Sequence, residues 1–169
     1  MKKLLIVIDM QNDFISGSLG SAEAQSIVPY VAEKTKAAVA NGDDVVFTQD
    51  THQPTYLESQ EGKHLPVVHC QQGTSGWEIH ESLQPYAKKV FVKPGFGSTK
   101  LLEHVKSGGY DQVELMGLCT DICVVTNALM LKGALPELPI RVDASGCAGV
   151  TPKTHQAAID TMKMCQIEV

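Results

Sequence analysis

Asp9, Lys93 and Cys123 each stand just beyond a short β-branched run that reads as a buried strand. A thiol, a carboxylate and an ammonium are the ingredients of covalent hydrolysis: a nucleophile, a carrier for its proton, and a cation that steadies the charges formed. In an open parallel α/β sheet the carboxyl ends of the strands line the ligand crevice, so three side chains far apart in sequence can converge there. The placement is that of a catalytic site.

Cys123 has the most specific local setting. In Gly117-Leu118-Cys119-Thr120-Asp121-Ile122-Cys123-Val124-Val125-Thr126-Asn127-Ala128-Leu129 a strand ends at a glycine, and Thr120 or Asp121 can cap a helix. Cys123 then falls in the first helical turn, where the macrodipole and free N–H groups favour a thiolate. A small buried residue at a helix start is the plainer explanation, and this segment alone leaves both open. A second group concerns metal. Asp50 and His52 lie two apart after a strand and so point to one face, and His69 follows a loop carrying Glu58, Glu61 and His64. Mixed carboxylate and imidazole ligands suit zinc, manganese or iron, although an isolated Asp-x-His is commonly a surface turn.

The elements that must position these residues follow from the hydrophobic pattern. Strands are expected at Leu4–Ile8, Asp44–Gln49, Lys89–Val92, Gln112–Met116 and Ile140–Val142, with a short last one at Gln166–Val169. Their continuous apolar character fits strands covered on both faces. Helical patterns run through Ile27, Val31, Lys34, Ala38 and Val39 before Asn41-Gly42, then Thr99–Lys106, Asp121–Leu131 and Pro152–Met164, where Pro152 suits a first turn. Alternating strand and helix with right-handed crossovers predicts an α/β, doubly wound sheet.

With 169 residues, 43% hydrophobic and 20% charged, the chain can bury one substantial core and is expected to be a single domain spanning 1–169. A net charge of -5 without Lys/Arg clusters argues against a nucleic-acid partner. The apolar start stops at Asp9, too short for a signal core or a membrane span. Five cysteines without a paired Cys-x-x-Cys motif fit a reduced cytoplasm, and Cys70, Cys147 and Cys165 carry no assigned role. Apolar helix faces leave a homo-oligomer open, and no coiled-coil pattern specifies one.

Five ordered motifs carry a family resemblance: Ile8-Asp9-Met10-Gln11-Asn12-Asp13-Phe14, Gln49-Asp50-Thr51-His52, His69-Cys70-Gln71-Gln72-Gly73-Thr74, Lys93-Pro94-Gly95-Phe96-Gly97-Ser98 and the Cys123 segment. The chain resembles the isochorismatase-like cysteine hydrolases, and within them the nicotinamidase/pyrazinamidase branch, over nearly its whole length. The resemblance implies a mostly parallel six-stranded sheet of order 3-2-1-4-5-6 with helices on both faces, and a triad of Asp9, Lys93 and Cys123. It also implies an oxyanion hole of the Cys119 and Cys123 backbone N–H groups, with a cis peptide between Leu118 and Cys119. Asp50, His52 and His69 become metal ligands, with Glu61 as the fourth and His64 its competitor, and zinc the first choice of cation. The implied activity is cleavage of a small carboxamide to acid and ammonia through a thioester.

The chain departs from the nicotinamidase pattern at Leu65 and Ile122, where aromatic residues are common, which removes stacking surface. Phe14 remains, and Phe96 or Tyr56 offers another wall, so the expected substrate contacts are Phe14, Leu65, Phe96 and Ile122. Alternatives are a same-fold hydrolase of an aliphatic amide or an isochorismate-like vinyl ether, and a silent binding domain. Retention of Cys123 and the metal set speaks against the ether, and an intact triad against the silent domain. Gln11 stands where an Asp-nucleophile phosphatase would need its second Asp, and no Gly-x-Gly-x-x-Gly follows the first strand.

Overall fold

The run Lys3–Ile8 is buried at every residue but its first, and it forms β1 at the centre of the sheet in the computed structural model, which describes residues 1–169. On one side lie β2 (Asp44–Asp50) and β3 (Val90–Lys93), on the other β4 (Gln112–Leu118) and β5 (Ile140–Ala148). The order is β3-β2-β1-β4-β5 and all four pairings are parallel. The direction of winding reverses at β1, so the crevice opens where β1 and β4 part.

The sheet has five strands rather than the expected six. Gln166 takes a left-handed φ of 62° after the last helix, and only Glu168 then meets β5, through a parallel bridge to Arg141. The remnant sits where a sixth strand would. β5 runs further than expected, through Ala148, across a register shift between Leu115 and Gly117 of β4. Asp143 and the small residues after it broke the apolar run on which the shorter expectation rested.

The helices are α1 (Asn12–Ile15), α2 (Ala22–Ala40), α3 (Gln60–His64), α4 (Thr99–Gly108), α5 (Val125–Ala134) and α6 (Pro152–Met164). α2 begins five residues before Ile27 because Ser21 caps it, accepting from the Ala24 amide at 3.0 Å, and its first turn buries Ala24 on the same face as Ile27 and Val31. It packs across β1, β2, β4 and β5, whereas α5 packs against both α4 and α6. α6 starts as expected, with Pro152 in the first turn and Thr151 as cap. No helix is long and apolar enough to cross a membrane.

Candidate active site

β1 and β4 approach each other unusually closely at the site. A Cβ on Gly117 would lie 2.1 Å from the Ile8 carbonyl oxygen, and Gly117 has φ 126°, so only glycine serves there. The next residue of β1, Asp9, turns into the left-handed region at φ 45°, which aspartate tolerates better than most residues. Its carboxylate is fully buried. Thr48 of β2 fixes it: the hydroxyl donates to Asp9 Oδ1 at 2.6 Å and accepts from the Asp9 amide at 3.2 Å.

Lys93, at the end of β3, is 1% exposed and reaches all the groups expected of it. Its Nζ lies 2.6 Å from Asp9 Oδ2, 3.3 Å from Cys123 Sγ, 2.9 Å from the Gly95 carbonyl and 3.4 Å from Asp50 Oδ1. Asp9, Lys93 and Cys123 are therefore one cluster. Asp9 Oδ2 accepts no well-directed hydrogen bond, so a lone pair remains to take a proton.

Cys123 does not sit in an ordinary capped helix start. Thr120–Val124 form one wide turn, in which the Val124 amide bonds back to the Cys119 carbonyl at 3.1 Å, and α5 follows only at Val125. Wide turns of this kind concentrate at functional sites. Neither Thr120 nor Asp121 caps it; Thr120 instead bonds His155 Nδ1 at 2.7 Å, and Asp121 accepts from the Val150 amide at 3.0 Å. Burial, and then the charge of Asp9, push the Cys123 thiol well above its usual range against the pull of Lys93. Burial likewise raises the Asp9 carboxyl although Lys93 opposes it, and Lys93 itself, despite burial, is held above the usual lysine range by Asp9 and the other anions around it. Burial thus works against the thiolate that a helix start favours, and the Lys93 ammonium works for it. The Leu118–Cys119 peptide is cis.

Beside this cluster, Asp50, His52, Glu61 and His69 aim one donor atom each at a common point, all within 4.8 Å of one another. His52 Nε2 is 2.8 Å and His69 Nε2 3.5 Å from Asp50 Oδ2, and both are 3.6 Å from Glu61 Oε1. Tetrahedral bonds of about 2.0–2.1 Å to such ligands would separate the donors by roughly 3.4 Å, so the four residues fit a cation. Two further observations agree. Burial, and then the charge of Asp50, raise the Glu61 carboxyl, a crowding of anions that a cation relieves. His69 Nδ1 donates to the Val67 carbonyl at 2.8 Å, and in that neutral tautomer Nε2 carries no proton and can take a metal.

Glu61, not His64, completes the set; His64 is exposed on α3 with Nδ1 on the Gln60 carbonyl. Tyr56 is no substrate wall either. It is buried behind the histidines, with ring centroids 4.6 Å from His52 and 5.0 Å from His69, and its hydroxyl donates to the Leu65 carbonyl.

A cavity of about 420 Å³ joins the two clusters. Phe14, Leu65, Phe96 and Ile122 all line it, as do Asp50, Glu61, His69, Cys119 and Cys123. Leu19, Gly149 and Val150 also line it and carried no sequence signal, because they come from loops that no motif marks. Three buried polar residues behind the site were also missed. Thr48 holds Asp9; the Gln11 amide donates to the Asp50 carbonyl and accepts from the Asp50 amide; and Asn127 bonds three backbone groups around Cys123. Such residues could have been suspected as polar side chains inside otherwise buried runs.

Residues 3–169 match the isochorismatase domain, and the chain belongs to that family. A nicotinamidase/pyrazinamidase of Mycobacterium tuberculosis is 31% identical, with 99% of this chain and 97% of that protein covered. Among solved structures, a nicotinamidase from Bacillus subtilis superposes with a TM-score of 0.88 at 29% identity, covering 100% and 99% of the two chains. A pyrazinamidase of Pyrococcus horikoshii in complex with zinc gives 0.82 at 27% identity, covering 99% and 98%.

Proposed function

We propose that the protein is a cysteine amidohydrolase, a single catalytic domain that cleaves a small carboxamide to acid and ammonia. The observation that carries this reading is the buried Lys93 ammonium, 2.6 Å from the Asp9 carboxylate and 3.3 Å from the Sγ of Cys123, which lines a largely apolar cavity. Cys123 Sγ attacks the acyl carbon as its proton passes to Asp9, and Lys93 balances the negative charge that moves from carboxylate to substrate oxygen. The Cys119 and Cys123 backbone N–H groups face the oxyanion. Asp9 gives its proton to the departing amine, then takes one from the water that cleaves the thioester.

Asp50, His52, Glu61 and His69 hold the divalent cation, zinc by the choice of ligands, with manganese or iron as alternatives. When bound, it supplies a Lewis-acidic point to which a ring nitrogen of substrate, directly or through water, can bind. Phe14 and Phe96 provide aromatic surface, and Leu65 and Ile122 aliphatic surface, for a flat ring between that point and the thiol. Nicotinamide is the best single substrate. The five unpaired cysteines support a reducing, cytoplasmic setting.

Ammonia release from nicotinamide, pyrazinamide and a series of aliphatic amides tests the reading. Turnover of the aromatic amides is expected to lead. Leading turnover of a branched aliphatic amide would transfer the assignment to a substrate shaped by Leu65 and Ile122, and no ammonia from any of them would remove the amidohydrolase.

A further inference from the structure

Asn127 is 1% exposed, in the first turn of α5, and every polar atom of its side chain is used. Nδ2 donates to the Cys123 carbonyl at 2.8 Å and to the Phe96 carbonyl at 3.0 Å, and Oδ1 accepts from the Ser98 amide at 2.9 Å. Asparagine is a poor helix former and costly to bury, so its place here depends on those bonds. All three partners belong to the site. Cys123 carries the thiol; Phe96 lines the cavity; and Ser98 closes the loop that begins at Lys93, whose Nζ is itself tied to the Gly95 carbonyl. The loop lies flat on α5, since a Cβ on Gly97 would meet Met130 Sδ at 2.3 Å.

We propose that Asn127 is a positioning residue that ties the lysine loop to the cysteine turn, setting the approach of Lys93 to Cys123 at one end and the seat of the Phe96 wall at the other. The assignment rests on the amidohydrolase reading for its purpose, but its geometry does not. Thr120 and Asp121 fasten the outer side of the same turn to α6 and its preceding loop. Apart from the Lys93–Cys123 contact itself, Asn127 supplies the side-chain hydrogen bonds that join the turn to the segment bearing the ammonium.

Two variants test the tie. Asn127→Ala removes all three bonds. Asn127→Thr keeps a hydroxyl that can bond the carbonyl four residues back, as Thr126 already does to Ile122 at 2.6 Å, but it is too short for Phe96 and Ser98, so it cuts the tie to the lysine loop while sparing the bond within the helix start. The measurements are the rate of iodoacetamide alkylation of Cys123 and the nicotinamide concentration that half-protects it, neither of which needs turnover. The Ala variant is expected to lose about tenfold in alkylation rate and to need about tenfold more nicotinamide, each a change of about 1.4 kcal/mol. The Thr variant is expected to show the same two losses. Variants that melt earlier with both quantities unchanged, or a Thr variant with wild-type alkylation, would overturn the assignment. Should the Ala variant fail to fold, the Thr variant against wild type decides on the same two quantities. If nicotinamide does not protect the wild type at all, the substrate reading fails, and the alkylation rates alone decide: slowing in the Thr variant supports the tie, and a wild-type rate there overturns it.

Discussion

Two lysines in this protein each bridge two carboxylates, and only one of them is at a site. Lys93 lies between Asp9 and Asp50 at the carboxyl edge of the sheet, and Lys34 of α2 lies between Glu114 of β4, at 2.9 Å, and Asp143 of β5. Both ammonium groups are held above the usual lysine range, in each case against the effect of burial. The Lys93 side chain is 1% exposed and touches a thiol, whereas the Lys34 side chain is 25% exposed and its partner Asp143 also accepts from the Tyr30 hydroxyl at 2.7 Å. Lys34, Glu114 and Arg141 border a cavity of about 280 Å³ toward the amino ends of β1 and β4, which no cysteine lines. Clustered charge and shifted titration therefore do not distinguish catalysis from architecture; a nucleophile lining a largely apolar cavity at the crevice does.

The contrast is broken most directly at the nucleophile. Cys123→Ala is expected to lower ammonia release by about four orders of magnitude or more with the fold intact by circular dichroism, since Cys123 is the cavity thiol that Lys93 touches. Cys119→Ala should keep most activity, because only its backbone N–H is assigned a role. Substantial turnover in the Cys123 variant would end the covalent mechanism. Next in size are the lysines. Lys93→Met should cost a factor of a hundred or more in kcat, and Asp9→Asn at least as much, while Lys34→Met should leave kcat within about threefold. Equal losses from the two lysine changes would erase the distinction between the clusters.

The metal set sharpens the comparison at intermediate size. About one equivalent of zinc, manganese or iron per chain is expected by elemental analysis, lost in His52→Ala because that removes one of four converging donors. Chelation should raise KM more than it slows alkylation of Cys123, since none of the four ligands belongs to the triad. A protein that holds no metal, and is unchanged by adding it, would leave this buried group as a polar knot like that around Lys34.

What could be read in advance was whatever depends on local pattern. The runs at Leu4–Ile8 and Gln112–Met116 are continuous and apolar, and the strands formed there with nearly those bounds. Asp9, Lys93 and Cys123 stood at strand ends, and a parallel sheet brings such ends together. Illegible were features set by tertiary contact. The wide turn at Thr120–Val124 has the composition of a helix start, and it differs because Thr120 and Asp121 spend their side chains on His155 and Val150 instead of capping. Glu61 and His64 lie three residues apart in α3, and only the seating of that helix turns one inward. The extension of β5 past Val142 was hidden by Asp143, a charge placed inside a strand because Lys34 and Tyr30 reach it from α2.

That same Asp143 gives the smallest and last test. Burial would raise its carboxyl, but hydrogen bonds from Lys34 and Tyr30 outweigh it and hold the group below the usual carboxylate range. A carboxyl with a depressed folded pKa contributes stability above its unfolded pKa, and that contribution is lost as pH falls through the folded value. Lys34, raised above 10.5, contributes below its unfolded pKa and loses that contribution as pH rises through its folded value. Asp143→Asn should therefore lower Tm by roughly 2–4 °C between about pH 5 and 9, corresponding to about 1 kcal/mol for a pair that solvent partly screens. The gap from wild type should narrow as pH falls through the depressed value of the native carboxyl, and again as pH rises through the raised value of the native ammonium. kcat should stay within about threefold throughout. A larger fall in kcat than in stability would mean that α2 transmits this ion pair to the crevice, and the separation between the two lysine clusters would no longer hold.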